Sequence, residues 1–372
     1  MKQSTPDSTS GRRGFLQAAG SLALGAGLLQ TSFEATSADI QGARLLTPSG
    51  KPLRGLYPIV ETPFTQDDKL DTDALAAEVE FINRGRVNGM IWPVFASSWS
   101  TLSEAERLEG AETMLAAGKR GKSAIAIAVQ NAQWDVATSI RYAKHAAAHG
   151  ADAIVAIPPN NGWNVDDQAI IDYYKAIGAA TDLPLIVQTR GTMSVELMLR
   201  MFQQIPTMKA TKDEVGNPLE RIAPLIEGTN NKLAVWAAGG GTGNMLWEEL
   251  SAGFVGLCPT PQFADLLQQV QELYWAGKKR EAFDMYGRVQ AFATIHGAVE
   301  YMMIARGVFK ETTKQRQQPM EPEARRPAGG AAGATGAAAP GGGTRTAQSL
   351  TEEQKQTIRD ALASYLKPYL RA

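Results

Sequence analysis

Lys212 closes a short strand-like run, Met208-Lys209-Ala210-Thr211-Lys212, and is followed by Asp213, Glu214, Val215 and Gly216. A lysine where a strand opens into its loop is suited to carbonyl chemistry. Its amine condenses with a ketone or aldehyde to an imine when the site holds it unprotonated. Lys209 is the rival amine, three residues earlier. Imine chemistry also needs proton transfer, and the carboxyls placed to supply it are Asp213, Glu214 and Glu61. Gln188 can orient a substrate oxygen or a water but carries no exchangeable acid or base function. Arg190 offers a bidentate fork for a carboxylate. Ser97, Ser98, Ser100 and Thr101 offer hydroxyl donors, while Ser103 reads as a helix cap. The glycine run 239–243, centred on Gly241, offers backbone amides. His145 and His149 stand one helical turn apart, which is metal-ligand spacing. No third ligand is evident in the sequence, and a helix C-terminus before Gly150 accounts for His149. No metal is therefore expected.

Positioning these groups takes a scaffold, and the pattern supplies one. Short apolar runs occur at Leu56–Val60, Met90–Phe95, Ala124–Val129, Ala153–Ile157, Leu183–Val187, Thr207–Thr211, Leu233–Ala237 and Phe254–Cys258. Helix-period segments lie between them, at Thr72–Asn83, Ser103–Ala117, Val136–Ala148, Asp166–Ala179 and Val195–Gln204. The repeat is about 30 residues, one βα unit. Continuous apolar strands separated by helices predict a parallel sheet covered on its faces. Roughly eight units over about 250 residues predict a (β/α)8 TIM barrel. A doubly wound sheet would carry a Gly-rich turn after its first strand, where this chain has Glu61-Thr62-Pro63-Phe64. Two long helices, Ala264–Ala276 and Arg280 to about Ala305, predict a C-terminal helical extension.

The 372 residues carry a net charge of -1 and one cysteine, Cys258. This balance gives no electrostatic ground for a nucleic-acid partner. A single cysteine excludes an intrachain disulfide framework. At the N-terminus, Arg12-Arg13 precede a weakly apolar run, 18–29, and the small-residue stretch Ala35-Thr36-Ser37-Ala38. This order resembles a twin-arginine export signal over residues 1–38, with 39–52 as linker. The expected location is periplasmic or extracellular, anchored if the leader stays uncleaved. The barrel and its helices are expected over 53–311. A flexible Gly/Ala/Pro-rich insert is expected over 312–348, because such a composition buries too little apolar surface to fold. A C-terminal helix capped by Ser349 is expected over 349–372, running from about Thr351 to Leu370.

Several segments, in order, resemble the dihydrodipicolinate synthase / N-acetylneuraminate lyase family of class I aldolase-type barrels. They are Thr62-Pro63-Phe64 with Leu70-Asp71, Thr101-Leu102-Ser103-Glu104-Ala105-Glu106-Arg107, Tyr174-Lys175-Ala176-Ile177 leading to Thr181-Asp182-Leu183-Pro184, Lys212 with Gly216-Asn217, and Gly253-Phe254-Val255-Gly256. The resemblance implies that Lys212, on strand six, is the imine lysine. It also implies a homo-oligomer, tetramer or dimer, and a reaction that needs no cofactor beyond the covalent imine.

Departures fall at the proton relay. The family's "GTTGE" loop reads Val94-Phe95-Ala96-Ser97-Ser98, its "YNVP" reads Gln188-Thr189-Arg190-Gly191, its "PYY" reads Pro158-Pro159-Asn160, and its "GDD" reads Gly241-Thr242-Gly243. Both relay tyrosines are thus replaced. The expectation is a divergent, Schiff-base-forming lyase acting on a 2-oxo acid or sugar acid. Lys212 would be catalytic, with Ala96, Ser97, Ser98, Gln188, Arg190 and Gly241 lining the substrate. A non-catalytic binding barrel for such acids and an imine-based dehydratase or hydratase are the alternatives.

Overall fold

The computed structural model describes residues 45–316 and 349–372. Eight strands form one sheet: β1 (Gly55–Leu56), β2 (Gly89–Trp92), β3 (Ala124–Ala128), β4 (Ala153–Ala156), β5 (Leu185–Gln188), β6 (Met208–Asp213), β7 (Ala234–Ala237) and β8 (Gly256–Leu257). Every pairing is parallel, each strand beside its sequence neighbour, and β1 pairs with β8. A parallel bridge between Ile59 and Ile91 brings the β1 end onto β2 and closes the ring. The expected (β/α)8 barrel is therefore present. Its strands are buried almost throughout because helices cover the outer face and side chains fill the interior. Lys209 is the exception, the one exposed residue within β6.

The helices between strands are α1 (Thr72–Arg84), α2 (Glu104–Gly118), α3 (Val136–Ala148), α4 (Asp167–Gly178), α5 (Val195–Gln204), α6 (Pro218–Gly228) and α7 (Leu246–Ala252). The first six open on a side-chain cap, from Asp71, Ser103, Asp135, Asp166, Ser194 and Asn217. Such a cap satisfies an otherwise orphaned amide and contributes about 1 kcal/mol. It also ends each of these βα loops at a defined point at the barrel mouth. Beneath the barrel, Tyr57 stacks on Trp236 with centroids 4.2 Å apart. Tyr57 donates to the Pro52 carbonyl and Trp236 to that of Leu53. Together these seal the floor.

After β8 come α8 (Ala264–Trp275), α9 (Lys279–Ala293) and α10 (Ala298–Ala305). The sequence predicted one long helix where α9 and α10 stand. The break is at Gly297, whose φ of 74° is left-handed, a conformation glycine adopts without cost. A Cβ there would also lie 2.6 Å from the Leu350 side chain. The final helix, α11 (Glu352–Ala361), is capped by Thr351, not by Ser349. Thr351 and Gln354 form the reciprocal capping box. The regular helix ends at Ala361, short of the expected Leu370; it widens into a π-helical turn, Leu362–Leu366, and then tightens into a 3₁₀ turn, Lys367–Tyr369, that contains Pro368. Arg306, fully buried, binds Asp265 through both terminal nitrogens and also the Ala372 carbonyl, fastening the chain end to α8.

Residues 312–316, expected in the flexible insert, are held in place. Lys314 pairs with Phe64, and Arg316 binds Asp68 and Glu106 while its guanidinium lies 3.9 Å from the Phe64 ring centroid. Arg316 explains the difference, since two carboxylates and an aromatic face outweigh the cost of ordering five residues. The export signal and the remainder of the insert lie outside the described residues. Among the described residues no helix is long and apolar enough to cross a membrane.

Candidate active site

The mouth is built at the C-terminal ends of β5 and β6. In a strand, successive side chains point to opposite faces. Lys212 and Glu214 therefore share the interior side, and Asp213 faces out. The Lys212 ammonium hydrogen-bonds and ion-pairs with Glu214 Oε1. Both side chains are almost buried, 7% and 11% exposed. Gln188 lies opposite Lys212 in the β5–β6 register and donates from Nε2 to Glu214 Oε2 at 2.7 Å. Arg190 Nη1 is 3.9 Å from the same oxygen. Glu214 is thus held by an ammonium, an amide and a guanidinium. Burial works to raise its carboxyl, but Lys212, then Arg190, then the hydrogen bonds from Lys212 and Gln188 outweigh burial and leave it below the usual carboxylate range.

Asp213 has a different occupation. It is fully buried, takes both Nε and Nη2 of Arg221 at 2.7 and 3.0 Å, and accepts the Thr189 hydroxyl at 2.7 Å. It braces the β6 end and is not a group of the mouth. Thr189 in turn accepts the Glu214 amide at 2.8 Å, which fixes the backbone that carries the carboxyl.

Arg190 is set by its loop. Gly162, after β4, and Gly191, after β5, touch backbone to backbone: a Cβ on Gly191 would lie 2.2 Å from the Gly162 oxygen, and one on Gly162 2.4 Å from the Arg190 oxygen. Both residues have positive φ. That close approach lays the Arg190 guanidinium on the Phe95 ring, 4.2 Å from its centroid. Phe95 meets Trp99 edge-on, and Trp99 contacts Trp134. An aromatic rim with one cation above it borders the ion pair.

The other expected lining residues divide. Ala96 stands in this rim loop, packed against the core. Ser97 is buried, donating to the Val60 carbonyl at 2.6 Å and accepting from the Val94 amide, so its hydroxyl ties the β1 and β2 loops together. Ser98 takes a left-handed turn and its carbonyl accepts the Thr101 hydroxyl. Ser103 caps α2, as its position predicts. Asn160 folds back onto the Trp163 carbonyl at 2.6 Å. Gly241, with φ 68°, accepts the Thr260 amide and hydroxyl, and a Cβ on it would meet open space. Lys209 points outward, which leaves Lys212 as the interior amine.

Glu61, at the β1 end, accepts from Gln262 at 2.7 Å and from Gln315, while its amide donates to Glu78. Burial raises its carboxyl to about 7 against these two hydrogen bonds. Gln188 Oε1 is buried with no partner.

Eight parallel strands with an interior lysine at the end of β6 narrow the comparison, and a model of the dihydrodipicolinate synthetase family matches residues 52–333. The chain belongs to the dihydrodipicolinate synthetase family. Among curated relatives it is similar to 4-hydroxy-tetrahydrodipicolinate synthase of Methanosarcina mazei, 25% identical over 47% of this chain and 59% of that one. It is also similar to Probable 2-dehydro-3-deoxy-D-pentonate aldolase YjhH of Escherichia coli (strain K12), 30% identical over 45% of this chain and 57% of that one. The matched segment thus spans just over half the length of these relatives. Among solved structures, N-acetylneuraminate lyase from Mycoplasma synoviae superposes with a TM-score of 0.65, at 18% identity, over 84% of this chain and 98% of that one. At that identity the likeness shows the shared fold. Within this fold, Gln188 and Glu214 are the groups beside the interior lysine, and Glu214 is the carboxylate that touches it.

Proposed function

We propose that the protein is a Schiff-base-forming, aldolase-like lyase for a 2-oxo acid or sugar acid, with Lys212 as nucleophile and Glu214 as the proton-transfer group. The observation that carries this is the buried Lys212–Glu214 pair at the barrel mouth. Glu214 accepts the ammonium proton and frees the amine, which attacks the substrate carbonyl. Glu214 then returns that proton to the carbinolamine hydroxyl, water leaves, and an iminium remains beside the restored carboxylate. The same carboxylate takes the proton of the hydroxyl two carbons from the imine carbon. The carbon–carbon bond breaks, its electron pair moves into the iminium as an enamine, and an aldehyde departs. Protonation of the enamine carbon by Glu214 and hydrolysis release the second product. One residue thus covers the steps for which the family uses a tyrosine relay. Arg190, on the aromatic rim, is the clamp for the substrate carboxylate.

No cofactor enters this scheme. The Arg12-Arg13 segment supports export to the periplasm, which amino-terminal sequencing of the mature protein tests. The family resemblance supports a tetramer or dimer, which light scattering tests. Turnover assays on a panel of 2-oxo acids and sugar acids, run beside thermal-shift binding, test the activity itself. Cleavage that requires both Lys212 and Glu214 supports the lyase. Binding without turnover, unaffected by Lys212→Ala, supports a binding barrel instead. Water loss without an aldehyde product supports a dehydratase.

A further inference from the structure

The fold supplies what the sequence lacked for the histidine pair on α3. Glu112, on α2, places its carboxylate against both imidazoles: His145 Nε2 is 2.9 Å and His149 Nε2 3.8 Å from Glu112 Oε1. All three donor atoms lie within 4.8 Å of one another, and the two rings have centroids 4.2 Å apart.

The protonation pattern is the second observation. His149 Nδ1 lies 2.9 Å from the His145 carbonyl oxygen. A carbonyl can only accept, so Nδ1 carries the proton. In a neutral ring this leaves Nε2 as a bare lone pair turned toward a carboxylate oxygen. Both imidazole Nε2 atoms are thus turned toward one carboxylate oxygen, the convergence of donors that a bound cation requires. A backbone carbonyl holding the distal ring nitrogen is also the usual way a metal-ligating imidazole is oriented.

The geometry points to a binding site for a borderline divalent transition ion, Zn2+ foremost, formed by Glu112, His145 and His149. Two imidazoles and a carboxylate without a thiolate suit Zn2+, Cu2+ and Ni2+ over Ca2+ or Mg2+. Bond lengths of about 2.0–2.2 Å put tetrahedral ligands about 3.4 Å apart, so sub-ångström to ångström shifts of surface side chains close the site. A fourth position stays open to water. His145 is in the last turn of α3 and His149 is its cap. The site therefore lies at the strand N-terminal face, opposite Lys212, and the ion clamps α2 to α3 without entering the mouth.

The test is calorimetric titration of ZnCl2 into the full chain, expressed without a polyhistidine tag and stripped with chelator. One ion per chain is expected, together with a rise in melting temperature on adding Zn2+. His149→Ala and Glu112→Gln should each weaken binding by more than about tenfold. Their Zn2+-free melting temperatures should be near the wild type's, because the Glu112 and His149 side chains are exposed. His296→Ala, which removes the chain's remaining histidine, should bind as wild type. Absence of saturable binding at one ion per chain overturns the site, as does binding that survives both substitutions unchanged.

Discussion

Gln188 Nε2 donates to Glu214 Oε2 at 2.7 Å while Lys212 holds the other oxygen of the same carboxylate. The glutamine that faces the lysine across the β5–β6 register is thereby tied to the proposed proton-transfer group. Gln188 moves no proton itself. It orients the carboxylate proposed to do so, and its own side-chain oxygen is buried without a partner.

Removing the carboxyl tests that division of labour. Glu214→Gln keeps the shape and loses the proton acceptor. A drop in kcat of about 10²–10⁴-fold is expected, the usual worth of a positioned acid or base. Gln188→Met should cost less, because it removes one hydrogen bond and leaves the carboxylate in place. Steady-state kinetics on a cleaved substrate compare the two variants, and equal losses would remove Glu214 from its special role.

Asp213 is the neighbouring control. Asp213→Ala strands Arg221 and Thr189, so a stability loss of about 3–5 kcal/mol is expected in denaturant unfolding. Residual folded protein at low temperature should retain most of the imine chemistry. Loss of imine formation in well-folded Asp213→Ala would place the base one residue earlier than the structure does.

Gly191→Ala tests how Arg190 is held. The added methyl meets the Gly162 oxygen, and φ of 63° is costly for alanine. The loop must shift, and Arg190 leaves Phe95. KM for a carboxylate substrate should rise more than kcat falls, with about 1–3 kcal/mol of stability lost to backbone strain.

Glu61 gives a pH signature. Burial raises its carboxyl from 4.5 to about 7 in the folded protein. A raised folded value means the native state binds the proton more tightly than the unfolded chain. The contribution to stability is full below about pH 4.5 and disappears as pH rises through 7. Unfolding free energy should therefore fall between pH 5 and pH 8 by at most about 3 kcal/mol from this group. Glu61→Gln should flatten the profile in that window. Glu249, also raised to about 7 by burial, adds a second component of the same sign that Glu61→Gln leaves untouched.

Much of the barrel is legible in the sequence, because buried parallel strands are apolar on both faces and their helices keep a 3.6-residue period. Val136–Ala148 and Val195–Gln204 are helices at the very bounds the pattern predicts. The end strands are harder. β1 and β8 are two residues each where runs of five are apolar, since apolar content persists into loops buried by the C-terminal helices. Lys212 is legible from its position, and period two places Glu214 beside it and Asp213 away from it. What the sequence does not disclose is who holds whom across the fold. Ser97 bonding Val60, Gln315 reaching Glu61 and Glu112 meeting two histidines join residues far apart in the chain, and no local pattern encodes those pairings.

The most direct measurement is borohydride reduction of the protein with pyruvate and a panel of other 2-oxo acids, followed by peptide mass spectrometry. A reduced adduct on Lys212 is expected, absent from Lys212→Ala and strongly slowed in Glu214→Gln. No adduct on Lys212 across the panel, or an adduct on Lys209 in its place, would contradict that expectation.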